Sequence, residues 1–88
     1  MPVTWYRWTD RDFMDGSTLT VYALDAPGPI QIAAMASKRD DETRWESCVT
    51  VGDECAWSKK GYRTLREAKQ AALRSARRIV DGWARGLR

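Results

Sequence analysis

The residue types from which enzymes build acid–base and nucleophilic sites are scarce in this chain. It contains no histidine and only two cysteines, Cys48 and Cys55. Without histidine, neither the commonest general acid or base near neutral pH nor a Ser-His or Cys-His nucleophile pair is available. Two cysteines also do not complete a four-ligand zinc site unless carboxylates supply the other ligands. The sequence therefore predicts a protein that is not an enzyme, with no catalytic residue, no metal ligand and no cofactor.

Asp10, Asp12 and Asp15 form an acidic cluster whose spacing is near that of a calcium-binding loop. Such a loop needs acidic side chains at positions 1, 3 and 5, glycine at position 6 and glutamate at position 12. Counted from Asp10, methionine falls at position 5, Gly16 at position 7 and Val21 at position 12. The register fails, so we expect a solvated loop in which the aspartates cap turns.

The feature that points to a function is an uneven distribution of charge. The whole chain has a net charge of +3, but residues 1–58 carry five basic and ten acidic residues, whereas residues 59–88 carry ten basic and two acidic ones. On a helical wheel, the arginines of the second segment fall opposite an apolar stripe. The predicted basic ridge consists of Lys59, Lys60, Arg63, Arg66, Arg74, Arg77, Arg78 and Arg85.

A basic ridge of this kind favours an anionic partner, either the phosphates of nucleic acid or an acidic protein surface that itself normally holds nucleic acid. The surplus of positive charge in residues 59–88 exceeds what solubility requires. The alternative is a solvated helix face, whose long side chains cover apolar surface and pair with acidic loops of a sheet.

A C-terminal helix is the element that must position most of these cations. Apolar residues recur at three- and four-residue steps, which predicts a helix over residues 64–80 and beyond. The stripe consists of Leu65, Ala68, Ala72, Ala76, Ile79 and Trp83. Thr64 and Glu67 match a capping box, which predicts the start of the helix. Either Gly82 or Gly86 ends it.

The preceding part of the chain reads as strands separated by turn formers. The predicted strands cover residues 3–8, 18–24, 30–36 and 44–51, with a short fifth segment at 55–58. In the second strand, Leu19, Val21 and Ala23 alternate with polar residues and predict a core side. We therefore expect an α+β fold, a four- to five-stranded antiparallel meander sheet packed by one C-terminal α-helix.

The two cysteines flank a predicted two-residue hairpin loop at residues 52–53. In that hairpin Thr50 faces Cys55 while Cys48 faces Trp57, so the thiols lie diagonally across the strands. We expect half-buried free thiols rather than a structural disulfide.

Length and hydropathy predict one domain over residues 1–88, because two domains of half this size would each bury too little apolar surface. No apolar run is long enough to cross a bilayer, and residues 1–8 lack the pattern of a secretory signal. These features predict a cytoplasmic protein with no membrane partner.

The junction between the last strand and the helix resembles that of small sheet-plus-helix accessory proteins of bacteriophages and prophages. The residues that carry the resemblance are Gly61, Tyr62, Thr64, Leu65, Glu67, Ala68, Lys69, Ala71 and Ala72. The resemblance implies a setting in which such proteins bind nucleic acid or block a host enzyme, CRISPR complexes included, in the host cytoplasm.

Three functional hypotheses follow. The first is a non-enzymatic binding protein that engages a host protein or nucleoprotein complex through the basic helix, as an anti-CRISPR-like inhibitor would. The second is direct binding of nucleic acid by the same helix. The third is a homodimeric interaction module, because Ala33 and Met35 leave one face of the third strand partly apolar.

Overall fold

Five strands and one helix make up the computed structural model. It describes residues 5–12, 14–26 and 30–86, and for Ala26 and residues 83–86 it describes the backbone alone. The strands are β1 (Tyr6–Arg11), β2 (Thr18–Ala26), β3 (Ile32–Arg39), β4 (Trp45–Val51) and β5 (Glu54–Tyr62), and the helix is α1 (Leu65–Gly86). The strands form one antiparallel sheet in the order β1-β2-β3-β4-β5. The predicted α+β meander with a C-terminal helix is confirmed.

Strand β1 extends further than its residue types indicate. It runs to Arg11, through a polar segment that the sequence assigns to a loop, because Arg11 pairs with Thr18 at the start of β2. The connecting turn is held by aspartates, as expected: the Met14 amide donates to the Asp12 carboxylate at 2.8 Å, and the Ser17 amide donates to Asp15 at 2.8 Å. The predicted residues 3 and 4 of this strand lie outside the described part of the chain.

The hairpin between β4 and β5 contains the main departure from the expected register. Gly52 has a φ of 61° in the two-residue loop, and Thr50 pairs with Cys55, as predicted. A register shift follows at once, so Cys48 faces Ser58 and not Trp57, which pairs with Val49. The β5 strand then continues to Tyr62, four residues beyond the predicted fifth segment.

Helix α1 packs on strands β3, β4 and β5 through small side chains. The core cluster joins Ala72 to Ile32, Ala34 and Val49 of the sheet, with Trp5, Val51, Trp57, Leu73, Ala76 and Ile79 packed around it. Alanine on the facing side lets a helix approach a sheet closely, and the Ser47 hydroxyl, itself fully buried, donates to the Ala68 carbonyl of the helix. Trp83, predicted to extend the apolar stripe, has its side chain outside the described residues.

The second strand is buried on the face that the helix does not cover. Val21 and Ala23 are only 2% and 1% exposed, as the alternation predicts. On this face, Val21 pairs with Trp8 of β1 and Ala23 pairs with Tyr6. On the helix side, Ala34 of β3 pairs with Leu24 and Ala36 pairs with Tyr22. Large neighbours on adjacent strands therefore cover these small side chains, because directly paired residues lie close together across a sheet.

The start of the helix is fixed by its cap. The Glu67 amide donates to Thr64 Oγ1 at 3.1 Å, which satisfies one of the amide groups that a helix N-terminus leaves without a partner. The helix passes through Gly82 and ends at Gly86.

Removing this cap should weaken the fold measurably. We expect Thr64→Ala to lower the free energy of unfolding by about 1 kcal/mol, because the Glu67 amide loses its acceptor. Thr64→Ser, which keeps the hydroxyl, should stay close to the wild type. Urea denaturation followed by circular dichroism measures both, and equal stability of the alanine and serine variants would exclude a capping role for Thr64.

Candidate binding surface on helix α1 and strand β5

The predicted basic ridge is divided by the way the helix lies on the sheet. Arg66, Arg74, Arg77 and Arg78 are all exposed, but they face different directions. Arg74 and Arg78 line the side of the helix next to β5, whereas Arg66 lines the opposite side, next to Trp5. Arg77 lines neither groove, and the turn of 100° per residue directs it within about 20° of Arg66.

Two neighbouring lysines of the ridge are separated by the pleat of β5. Lys59 pairs with Ser47, whose side chain bonds the helix, so Lys59 lies on the helix side of the sheet. Lys60 pairs with Glu46 and lies on the other face. Successive side chains of a strand point to opposite faces, so the two lysines cannot contribute to one surface.

A groove between α1 and β5 brings three of the predicted cations together. It has a volume of about 310 Å³ and is lined by Trp57, Lys59, Tyr62, Ala71, Arg74, Ser75 and Arg78. The helical contributors occur at steps of three and four residues, which place them along one side of α1. We call Lys59, Arg74 and Arg78 with Trp57 and Tyr62 the basic groove.

The aromatic side chains of the basic groove are already engaged. Trp57 packs against the core cluster, and the Lys59 ammonium lies 5.8 Å from the centroid of the Tyr62 ring. A cation over an aromatic face is attracted by the ring quadrupole, so Tyr62 orients Lys59. Neither aromatic residue was predicted as part of the site. The alternation of Trp57 with Lys59 along β5 is the signal that could have identified Trp57. Tyr62 reaches the same face through a register shift between residues 60 and 62, which the alternation does not predict.

The other flank of the helix holds one cation in a structural role. Lys69 was absent from the predicted ridge, and its ammonium lies 5.1 Å from the Trp5 ring centroid and 4.6 Å from that of Tyr22. It contributes to a mostly apolar groove of about 570 Å³ with Arg66 and Leu73. Two aromatic faces around one ammonium hold Lys69 of the helix beside Trp5, which precedes β1, and Tyr22 of β2.

The cations of the basic groove are not neutralised within the described residues. In that part of the chain, the one ion pair with a nitrogen–oxygen distance within 4.0 Å joins Arg39 to Asp12 at 3.5 Å, and neither residue belongs to the helix. In the alternative interpretation, acidic loops of the sheet pair with the helix arginines. No such ion pair occurs among the described residues.

The two remaining cations of the predicted ridge lie beyond the basic groove. Arg63 is exposed at the turn before the helix, and the side chain of Arg85 lies outside the described residues.

The sheet face opposite the helix is partly apolar. Tyr6 and Trp8 are 45% and 39% exposed, and their rings stack with centroids 5.6 Å apart. Ala33 and Met35 share this face with them, by the register of the strands. The Tyr6 hydroxyl donates to Asp25 at 2.9 Å, and this hydrogen bond raises the pKa of Tyr6.

By its architecture, the protein is an α+β meander of five antiparallel strands with one helix packed across the sheet. Comparisons with models of known protein families, with curated proteins and with solved structures give no match for this chain. Within the described residues, no helix is both long and apolar enough to cross a membrane.

Proposed function

We propose that this protein is a non-enzymatic binding protein of phage or mobile-element type that engages a host nucleic-acid-handling complex through the basic groove. The observation that carries the proposal is the convergence of Lys59, Arg74 and Arg78 on one groove, with no carboxylate partner among the described residues. Its site of action is the host cytoplasm, where such complexes work.

The chemistry of the basic groove suits a partner with regularly spaced negative charge. Each guanidinium offers up to five N–H donors in a planar fork that matches a carboxylate or phosphate, and these charge-assisted hydrogen bonds are stronger than neutral ones. Arg74 and Arg78 are one helical turn apart, so two such forks lie side by side. Like charges at this separation repel in the free protein, and a bound anion relieves that repulsion.

The aromatic residues favour an acidic protein surface over bare nucleic acid. Proteins that hold single strands without sequence preference combine cations with exposed aromatic faces on which bases stack. Here Trp57 packs against the core and Lys59 covers Tyr62, which leaves the basic groove rich in charge and poor in stacking surface. An inhibitor that occupies an acidic site on a nucleic-acid-handling enzyme needs the charge alone.

Capture from a host bacterial lysate with and without nuclease tests the proposal. We expect tagged wild-type protein to retain one defined protein complex after nuclease treatment.

The alternative, direct binding of nucleic acid, makes the opposite prediction in the same experiment. Captured material would then be lost after nuclease treatment, and affinity for a plain oligonucleotide would fall log-linearly with salt as counterions are released. That result would contradict the proposal.

A homodimeric module is the third candidate function, and the exposed pair Tyr6 and Trp8 favours it. With the half-buried Met35, this pair gives one sheet face an apolar patch of the kind that subunit interfaces bury, whereas Ala33 on the same face is only 8% exposed. Light scattering on the purified protein distinguishes a monomer from a dimer. A measured mass equal to that of one 10.1 kDa chain at all concentrations would exclude the dimer.

A further inference from the structure

The β4–β5 hairpin brings its two thiols into contact. Cys48 and Cys55 are both free, and their Sγ atoms lie 3.3 Å apart. In a regular antiparallel pair, diagonal neighbours are too far apart for side chains as short as cysteine. Here the register shift between Val49 and Thr50 leaves Ala56 without a partner on β4. Such a bulge bends the strand and redirects a side chain, which accounts for the contact.

The two thiols differ in how readily they meet solvent. Cys55 is exposed near the hairpin loop, whereas Cys48 is half-buried on the sheet face opposite the helix. Burial raises the pKa of Cys48 to about 12, and the hydrogen bond and charge of Cys55 and the charge of Glu46 add to the rise. Because the thiolate is the reactive form, Cys48 does not react first with a reagent from solvent.

We propose that Cys48 and Cys55 form a reversible dithiol–disulfide pair, oxidised by low-molecular-weight disulfides of the glutathione class. The exposed Cys55 thiolate attacks one sulfur of the small disulfide, forms a mixed disulfide and releases one small thiol. Cys48 then loses its proton to solvent and attacks the Cys55 sulfur, which releases the second small thiol. Overall, one small disulfide is reduced to two thiols and the protein dithiol is oxidised to one intramolecular disulfide.

The geometry favours the second step over accumulation of the mixed disulfide. Cys48 already touches Cys55, so the attack is intramolecular and needs only a small approach of the two sulfurs. When Cys55 carries the small thiol, its charge no longer opposes ionisation of Cys48, so part of the rise in the pKa of Cys48 disappears. The product closes a short loop around the 52–53 turn and fixes the register of β4 on β5.

The test treats the reduced, full-length protein with oxidised glutathione and follows the intact mass after alkylation of the remaining thiols. We expect a product lighter by two hydrogens, with no alkylated cysteine and no retained glutathione, that dithiothreitol reverses. Its melting temperature should rise by roughly 5 to 10 °C, as expected for a short closed loop in a small domain.

Two conservative variants separate the roles of the thiols. Cys48→Ser should accumulate a stable glutathione adduct on Cys55, because the second sulfur is missing, whereas Cys55→Ser should react far more slowly. Because Cys55 is exposed, the adduct on Cys48→Ser should form even if this substitution lowers the stability of the fold. The variant therefore still reports on the first step of the wild-type reaction. Two independent glutathione adducts on the wild type, disulfides between molecules, or equal reactivity of the two variants would overturn the proposal.

Discussion

Ile32→Ala is expected to lower the free energy of unfolding by about 3 kcal/mol, whereas Ile30→Ala, two residues earlier, should change it by less than about 0.5 kcal/mol. The side chains are identical, so the substitutions remove the same atoms. Ile32 is 5% exposed and belongs to the core cluster, but Ile30 is 52% exposed and precedes β3. The difference measures what burial at the sheet–helix contact contributes.

The effect at Ile32 is large because this core contains few large side chains. Its buried neighbours are Ala34, Val49 and Ala72, which cannot expand to fill the space that an isoleucine leaves. A loss of about 3 kcal/mol is a large fraction of the stability of a small domain, which is about 5 to 15 kcal/mol. Urea denaturation followed by tryptophan fluorescence gives both values, and equal losses in the two variants would place Ile30 in the core as well.

Reversal of two charges in the basic groove should abolish partner binding. We expect the double variant Arg74→Glu and Arg78→Glu to bind the captured partner at least ~100-fold more weakly, because loss of a paired charge at an interface costs about 2 to 5 kcal/mol. Both side chains are exposed, so the core is untouched and the unfolding curve should stay near that of the wild type.

The matched control reverses two exposed arginines of β1, Arg7→Glu and Arg11→Glu. It changes the net charge by the same amount, but β1 lies at the opposite edge of the sheet from β5, about 19 Å away across four strand spacings. We expect this variant to bind within about 3-fold of the wild type, because distant exposed charges are screened. Equal losses in the two variants would assign binding to net charge and not to the basic groove.

The sequence predicts the architecture well where one residue pattern determines one element. The three- and four-residue spacing from Leu65 onward and the capping residue Thr64 fix the helix, and the 52–53 turn fixes the last hairpin register near the loop. Strands β1 and β5 continue past their predicted last residues. Backbone pairing with a neighbouring strand keeps polar residues of low strand propensity in the extended conformation.

The candidate site is predicted less completely, for a reason that Lys59 and Lys60 illustrate. If β5 ended at residue 58, both lysines would extend the helix ridge. Because the strand continues to Tyr62, its pleat sends Lys59 to the helix side and Lys60 to the other face. Similarly, a helical wheel predicts that Arg66 and Arg74 are exposed, but the flank on which each lies depends on where Trp5 and Trp57 contact the helix.

The most direct test of the account is arginine-directed labelling of the protein, free and in complex with its captured partner, with a dicarbonyl reagent and mass spectrometry. We predict that Arg74 and Arg78 are modified in the free protein and protected in the complex, while Arg7 and Arg11 are modified equally in both. Protection of the β1 arginines with continued modification of Arg74 and Arg78 would contradict the assignment of the basic groove as the binding site.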